Sequence, residues 1–305
     1  MSESDQEARS KPDLSPVSPA QANVRRLRTL APLPATSQLL LEMLSDPELD
    51  MLRLAEVVEQ TPALAARILG VANSAFFAHA RDVRDVPDAI IRVLGLHLVR
   101  DLSISFALSQ PFDLRDCPRF DALRYWSSAM ESAVLAQLIA TRLPVEDVPT
   151  PAEAYLGGLL HNLGLLALVH VAPEAMNTIF ASVEREPGEG LRARETEVLG
   201  LDHAVAGTEL ALVWRLPTLL AVAMGPGDAR PHSHRHHALL KLLRLGARIR
   251  HFLGADTDPG VEPVVLAGWS ELGLASEAMP KVIAQWQQRS KEIADLAAAF
   301  LGAQR

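Results

Sequence analysis

The chain has 305 residues and a mass of 33.1 kDa, with 49% apolar and 22% charged residues. That balance excludes a wholly disordered protein and leaves ample length for a buried core. Its 29 Lys and Arg against 37 Asp and Glu give a formal charge of −8, which sets the molecule as a whole against nucleic acid and anionic lipid. The one cysteine, Cys117, excludes an intrachain disulfide and a thiolate zinc site, and it fits a reducing cytoplasm, the expected location.

Residues 1–23 are rich in Ser, Pro, Asp, Glu, Gln and Lys, contain no signal-peptide core, and read as a disordered tail. Beyond them apolar residues recur with the helical period and no stretch alternates over a strand's length, so the chain is predicted to be all-α. Helices are predicted near 36–45, 51–59, 62–72, 87–94, 96–109, 120–142 and 151–170. Further ones follow near 173–186, 191–199, 203–214, 217–224, 236–252 and 280–302. Asp46-Pro47, Thr61-Pro62 and Thr150-Pro151 each pair a capping residue with a proline suited to a helix start, and Thr150 with Glu153 fits a capping box. Gly70 and Gly95 sit where a helix ends or where two helices approach closely. In the last helix Val282, Trp286, Ile293, Leu296 and Phe300 share one face, which should dock on the body. The most apolar run, Leu163 to Ala172, falls well short of the roughly 20 residues of a membrane span.

Three local patterns carry more information. The first runs through Leu33-Pro34, Asp46-Pro47, the segment Thr61 to Leu69 (TPALAARIL) and Ala72 to Phe77 (ANSAFF). The second is Ala89 to Gly95 (AIIRVLG). The third combines Gly157 to Gly164 (GGLLHNLG) with Gly200 to Gly207 (GLDHAVAG) and Trp214 to Pro217 (WRLP). In this order they resemble the bacterial HDOD family, an HD-related output domain, over about residues 27–227.

That resemblance implies a multi-helical fold related to the HD metal-dependent phosphohydrolases, placed in signalling proteins and usually without demonstrated catalysis. It divides the chain into an N-terminal helical subdomain at 24–115, an HD-like helical subdomain at 116–254 and a C-terminal helical extension at 255–305. An HD site uses one His, an adjacent His-Asp pair and a distal Asp to hold divalent metal that activates water. Here the pair reads His161-Asn162, the first His is replaced by Ser128, and the distal carboxylate aligns with Ala247. An Asn amide and a Ser hydroxyl are neutral and cannot supply a bridging carboxylate. With His203, these positions are vestigial, so no metal, cofactor or catalytic residue is expected. The plain alternative for His161 and His203 is that of buried histidines satisfied by helix ends or neighbouring side chains.

Two further features stand outside the resemblance. His232, His234, His236 and His237 cluster without a carboxylate or thiolate, which reads as a loop entering a helix more readily than as a Zn²⁺ site. Lys241, Arg244 and Arg248 share a helix face within an acid-free stretch, 229–251, and form a basic stripe suited to an acidic partner or a phosphorylated ligand. Asn73-Ser74 reads as a helix terminator, with Asn73 left-handed and Ser74 bonded to local backbone.

The expected function is therefore a non-catalytic signalling module that acts through protein–protein contact. By resemblance its partner would be a histidine kinase, a response regulator or an enzyme of cyclic-dinucleotide turnover; nucleic acid and membrane insertion are disfavoured. Two rivals stay open. One is a phosphohydrolase whose metal is held by Asp202, Asp228 and the loop histidines; the other is a ligand-sensing or nucleic-acid-associated regulator using the stripe at 241–248.

Overall fold

A computed structural model describes residues 18–44, 46, 49–77, 83–143, 148–185, 190–226, 233–254 and 263–302. Among the described residues every regular element is helical, as the periodicity predicts. The first elements are α1 (Pro19–Arg28), α2 (Ala35–Glu42), α3 (Met51–Glu59), α4 (Pro62–Ala72) and the 3₁₀ turn Ala75–Phe77. Then come α5 (Val86–Asp88), which widens into the π-helical turn Ala89–Leu94, and α6 (Leu96–Ser109). The second half holds α7 (Ala122–Ala140), α8 (Pro151–Leu160), α9 (Leu163–Val171), α10 (Pro173–Arg185), α11 (Leu191–Leu199), α12 (His203–Val213) and α13 (Thr218–Met224). The chain closes with α14 (His234–Gly254), α15 (Pro263–Glu271), a 3₁₀ turn at Ser276–Ala278, and α16 (Met279–Leu301).

Local chemistry sets many of these boundaries. Thr150 and Glu153 form the predicted capping box at the start of α8, and Ser18 with Gln21 forms another at α1. Gly95, at φ +76, ends the π-turn, where its N–H reaches back to Ile90 O at 3.0 Å, and opens α6. A residue with a Cβ would be strained in that conformation. Asn73 differs from expectation: its backbone is not left-handed (φ −94), and its side-chain amide instead clamps Val83 through N–H and C=O, both at 2.8 Å. Ser74 Oγ is buried with no hydrogen-bond partner among the described residues.

The sequence places three parts differently from the structure. Helix α1 lies partly in the stretch 1–23 read as a tail, with Asn23 buried and its side chain donating to Leu199 O at 3.1 Å; residues 1–17 lie outside the described residues. It packs on α9, α11 and α12, so the segment up to Ala31, whose carbonyl accepts from Trp214 Nε1, belongs with the HD-like half rather than with the subdomain assigned to 24–115. The predicted helix 151–170 is broken at His161-Asn162 into α8 and α9. Helix α15, with Val265 and Trp269 buried, went unpredicted.

The C-terminal extension is part of the core rather than an appendage. Val282, Trp286, Ile293, Leu296 and Phe300 are all buried, as the shared face predicts. Phe300 meets Trp126 of α7 edge-on at 4.7 Å, and Trp286 Nε1 donates to Glu131 O at 3.0 Å. On its other side α16 touches α4, where Arg67 donates to Phe300 O and stacks over Phe106. Burial of such side chains stabilises by about 1.5–3 kcal/mol each, so α16 fastens the N-terminal helices to α7. Pro151–Val171 is apolar and long enough to cross a membrane by length and composition, but 78% of its most apolar window is buried inside the protein.

Candidate functional site

Of the positions singled out in the sequence, His161 at the end of α8 and His203 at the start of α12 come together, while Ser128 lies on α7 and Ala247 on α14. Gly158 lets α8 lie against α7; a Cβ there would stand 2.7 Å from Ala133 Cα. Gly164 does the same for α9 and α12, since its Cβ would meet His203 O at 2.0 Å. These two close crossings bring His161 within electrostatic reach of His203.

Each imidazole is already committed on one side. His161 Nδ1 lies 2.7 Å from Gly158 O, so in the neutral ring Nδ1–H donates and Nε2 is left as acceptor. Burial depresses the His161 pKa to about 4 against that hydrogen bond, and the positive charge of Arg250 and the nearby His203 lower it further. His203 Nδ1 stands 2.6 Å from Glu195 Oε2, which also accepts the His203 backbone N–H at 2.9 Å. Glu195 is fully buried, and its other oxygen has no partner among the described residues. Asp202 caps α12 through the N–H groups of Ala204 and Val205 and is forked by Arg192. Burial alone would raise its pKa; the Val205 N–H and Arg192 hold it below the ordinary value. Asn162, half-buried, makes no side-chain hydrogen bond among the described residues.

The cation at this site is a side chain. Arg250 of α14 reaches α7, where Ser128, Glu131 and Ser132 share a face at helical spacing. Its Nη2 donates to Ser128 Oγ at 2.8 Å and to Glu131 Oε2 at 2.9 Å, Nη1 to Ser132 Oγ at 2.7 Å, and Nε to Glu131 Oε2 at 3.2 Å. Ala247, aligned with the distal carboxylate, is exposed on α14. Gly246, near Leu135, and Arg250 are among the α14 positions that face α7. Sequence reasoning passed over Arg250 and Glu195; the i, i+4 spacing of Gly246 and Arg250 was the available signal for the first.

An HD-type metal does not fit this donor set. Ser128 is engaged by a guanidinium, Asn162 is neutral, and among the described residues no three His, Cys, Asp or Glu side chains converge as ligands. Of the rival ligands, Asp202 is spent on its cap and Arg192; Asp228 and His232 lie outside the described residues. His234 and His237 are exposed at the start of α14, and His236 Nδ1 lies 3.1 Å from Ser233 Oγ.

The basic stripe is partly covered by the unpredicted α15. Lys241 Nζ lies 3.6 Å from Glu271, and Arg248 lies beside Gly268. Arg244 and Arg248 are exposed, and neither forms an ion pair among the described residues.

An all-helical body of HD-like architecture defines the fold class, and comparison with known proteins identifies the family. The HDOD domain model matches residues 30–226, and the chain belongs to the HDOD family. Its structure is similar to one from Marinobacter aquaeolei VT8 provisionally described as a signal transduction protein, at 28% identity and TM-score 0.79, covering 93% of this chain and 65% of that one. It is also similar to one from Shewanella amazonensis SB2B provisionally described as a phosphohydrolase, at 25% identity and TM-score 0.70, covering 92% and 99%. An uncharacterised protein of Treponema pallidum (strain Nichols) is 24% identical over 268 residues, which is 88% of this chain and half of that protein. The chain thus spans about half the length of the curated relative it matches.

Proposed function

We propose that this chain is a non-catalytic regulatory HDOD module that acts by binding a signalling protein. The observation that carries the reading is Arg250, whose guanidinium takes up Ser128, Glu131 and Ser132 beside His161. A fixed cation at that face repels a divalent metal and blocks a ligand position, and water activation needs both the metal charge and its open coordination site. The HDOD domain and the similarity to the Marinobacter protein support a signalling role. By the same family resemblance the partner is a histidine kinase, a response regulator or an enzyme of cyclic-dinucleotide turnover, met in the cytoplasm.

The exposed charges of α14 supply a contact surface for an acidic face of such a partner. Arg244 and Arg248 carry it, whereas Lys241 is turned to Glu271. Affinity capture from the native cell tests this. The double reversal Arg244→Glu with Arg248→Glu should lose the partner that wild type retains, while His161→Ala should keep it. A partner retained by the reversal and lost by a folded His161→Ala would move the contact to the old pocket.

The similarity to the Shewanella protein favours a second reading, hydrolysis of a phosphodiester. Turnover of a cyclic dinucleotide with added Mn²⁺, abolished by His161→Ala, would establish it.

A further inference from the structure

A cavity of about 300 Å³ lies where the N-terminal helices, the α7–α8 pair and α16 meet. It is separate from the pocket described above: on α8 it uses Tyr155, six residues before His161, and on α7 it uses Val134 and Gln137, beyond Ser132. Its walls are mainly apolar, with Phe76, Val134 and Leu296 among them.

Two buried polar side chains line it, Asp101 and Tyr155, each with an oxygen left free among the described residues. Asp101 is 1% exposed, and Arg100 directs both Nε (3.0 Å) and Nη2 (2.9 Å) to the single oxygen Oδ1. Its Oδ2 accepts no hydrogen bond among the described residues. Burial pushes the Asp101 carboxyl up to about 7 even with Arg100 beside it. Tyr155 is 6% exposed, its hydroxyl also lacks a partner among the described residues, and burial together with the Asp101 charge raises its pKa, keeping it a donor. Buried polar atoms are nearly always hydrogen-bonded, so Asp101 Oδ2 and the Tyr155 hydroxyl, both free on one cavity wall, call for an occupant.

With Asp101 ionised, the missing partner offers one donor, to Asp101 Oδ2, and one acceptor, to the Tyr155 hydroxyl. A hydroxyl group supplies both from one atom; an ammonium supplies no acceptor, and Arg100 has already met the Asp101 charge. We propose that this cavity is a binding site for a small apolar molecule bearing one hydroxyl, an alcohol or phenol, with its hydroxyl between Asp101 and Tyr155 and its body against Phe76, Val134 and Leu296. Because the walls come from α6, α7, α8 and α16, such a ligand would hold the two halves of the fold together.

The test is ligand-observed NMR titration of the full chain with phenol and with its methyl isostere, toluene. Phenol should bind saturably and about 5-fold or more tighter than toluene, the effect of about one hydrogen bond. Ala152→Trp, at a half-buried position on the cavity wall, should weaken phenol about 10-fold or more at an unchanged melting temperature, with Leu96→Trp as the second blocking variant should the first misfold. Tyr155→Phe should shrink the preference for phenol. Absence of saturable phenol binding, meaning a cavity that holds water only, would overturn the proposal. So would phenol binding untouched by both blocking variants, or toluene binding as tightly as phenol.

Discussion

Arg250 Nη2 donates to Ser128 Oγ at 2.8 Å, so the hydroxyl that the family resemblance aligns with the first histidine of an HD site is bound by a cation belonging to the protein itself. The same guanidinium meets Glu131 and Ser132, and it therefore also fastens α14 to α7. One residue thus both engages Ser128 and holds two helices together.

Arg250→Ala should destabilise the protein by about 2 kcal/mol or more, because it leaves the Glu131 carboxylate without its charged partner in a partly buried setting. Arg250→Lys should recover only part, since a lysine cannot fork across three acceptors. Chemical denaturation of the three proteins measures the differences.

The lowered pKa of His161 sets a pH dependence with a definite sign. The ring is neutral in the fold down to about pH 4 but takes a proton near 6.5 when unfolded, so the unfolded chain binds more protons across that window. Its contribution to stability is present above about pH 6.5 and is lost as the pH falls towards 4. His161→Gln should flatten that part of a stability–pH curve. An unchanged slope between pH 4 and 6.5 would contradict the assignment.

Gly164→Ala should unfold or strongly destabilise the protein, by about 3 kcal/mol or more, since the new methyl would collide with the backbone of His203 and Gly207. Gly190→Ala is the control: nothing lies within 4 Å of its added Cβ. Melting curves should separate the two clearly.

The first subdomain and the HD-like half should melt in one transition. Helix α16 touches both α4 and α7, and the connection after α6 is tied down where Asp113 N donates to His170 Nδ1 and Arg119 N to Asn177 Oδ1. Removing residues 1–17 should leave the transition in place, whereas deleting α16 should lower it steeply. Two separate transitions in the intact chain would contradict a single core.

The legible and the hidden parts of the molecule differ for physical reasons. Repeating apolar faces and proline-led caps mark helices locally, which is why α3, α4, α6 and the docking face of α16 follow from the sequence. Helix α1 is polar and buries only Asn23 and Leu27, so no apolar stripe announces it. The break between α8 and α9 occurs inside a continuous apolar run, where period alone gives no boundary. Ser128 and Asn162 can be singled out from the motifs, but Arg250 cannot, because its role depends on the rotation of α14 against α7. Counting along the motif alone leads to Ala247, which faces outward.

The most direct test of the central claim is calorimetric titration of the metal-free protein with Mn²⁺ and Zn²⁺, alongside His161→Ala. The account predicts no saturable heat that depends on His161 and no phosphodiester hydrolysis by the titrated protein. Stoichiometric metal binding that disappears in His161→Ala, accompanied by turnover of a phosphodiester, would contradict it.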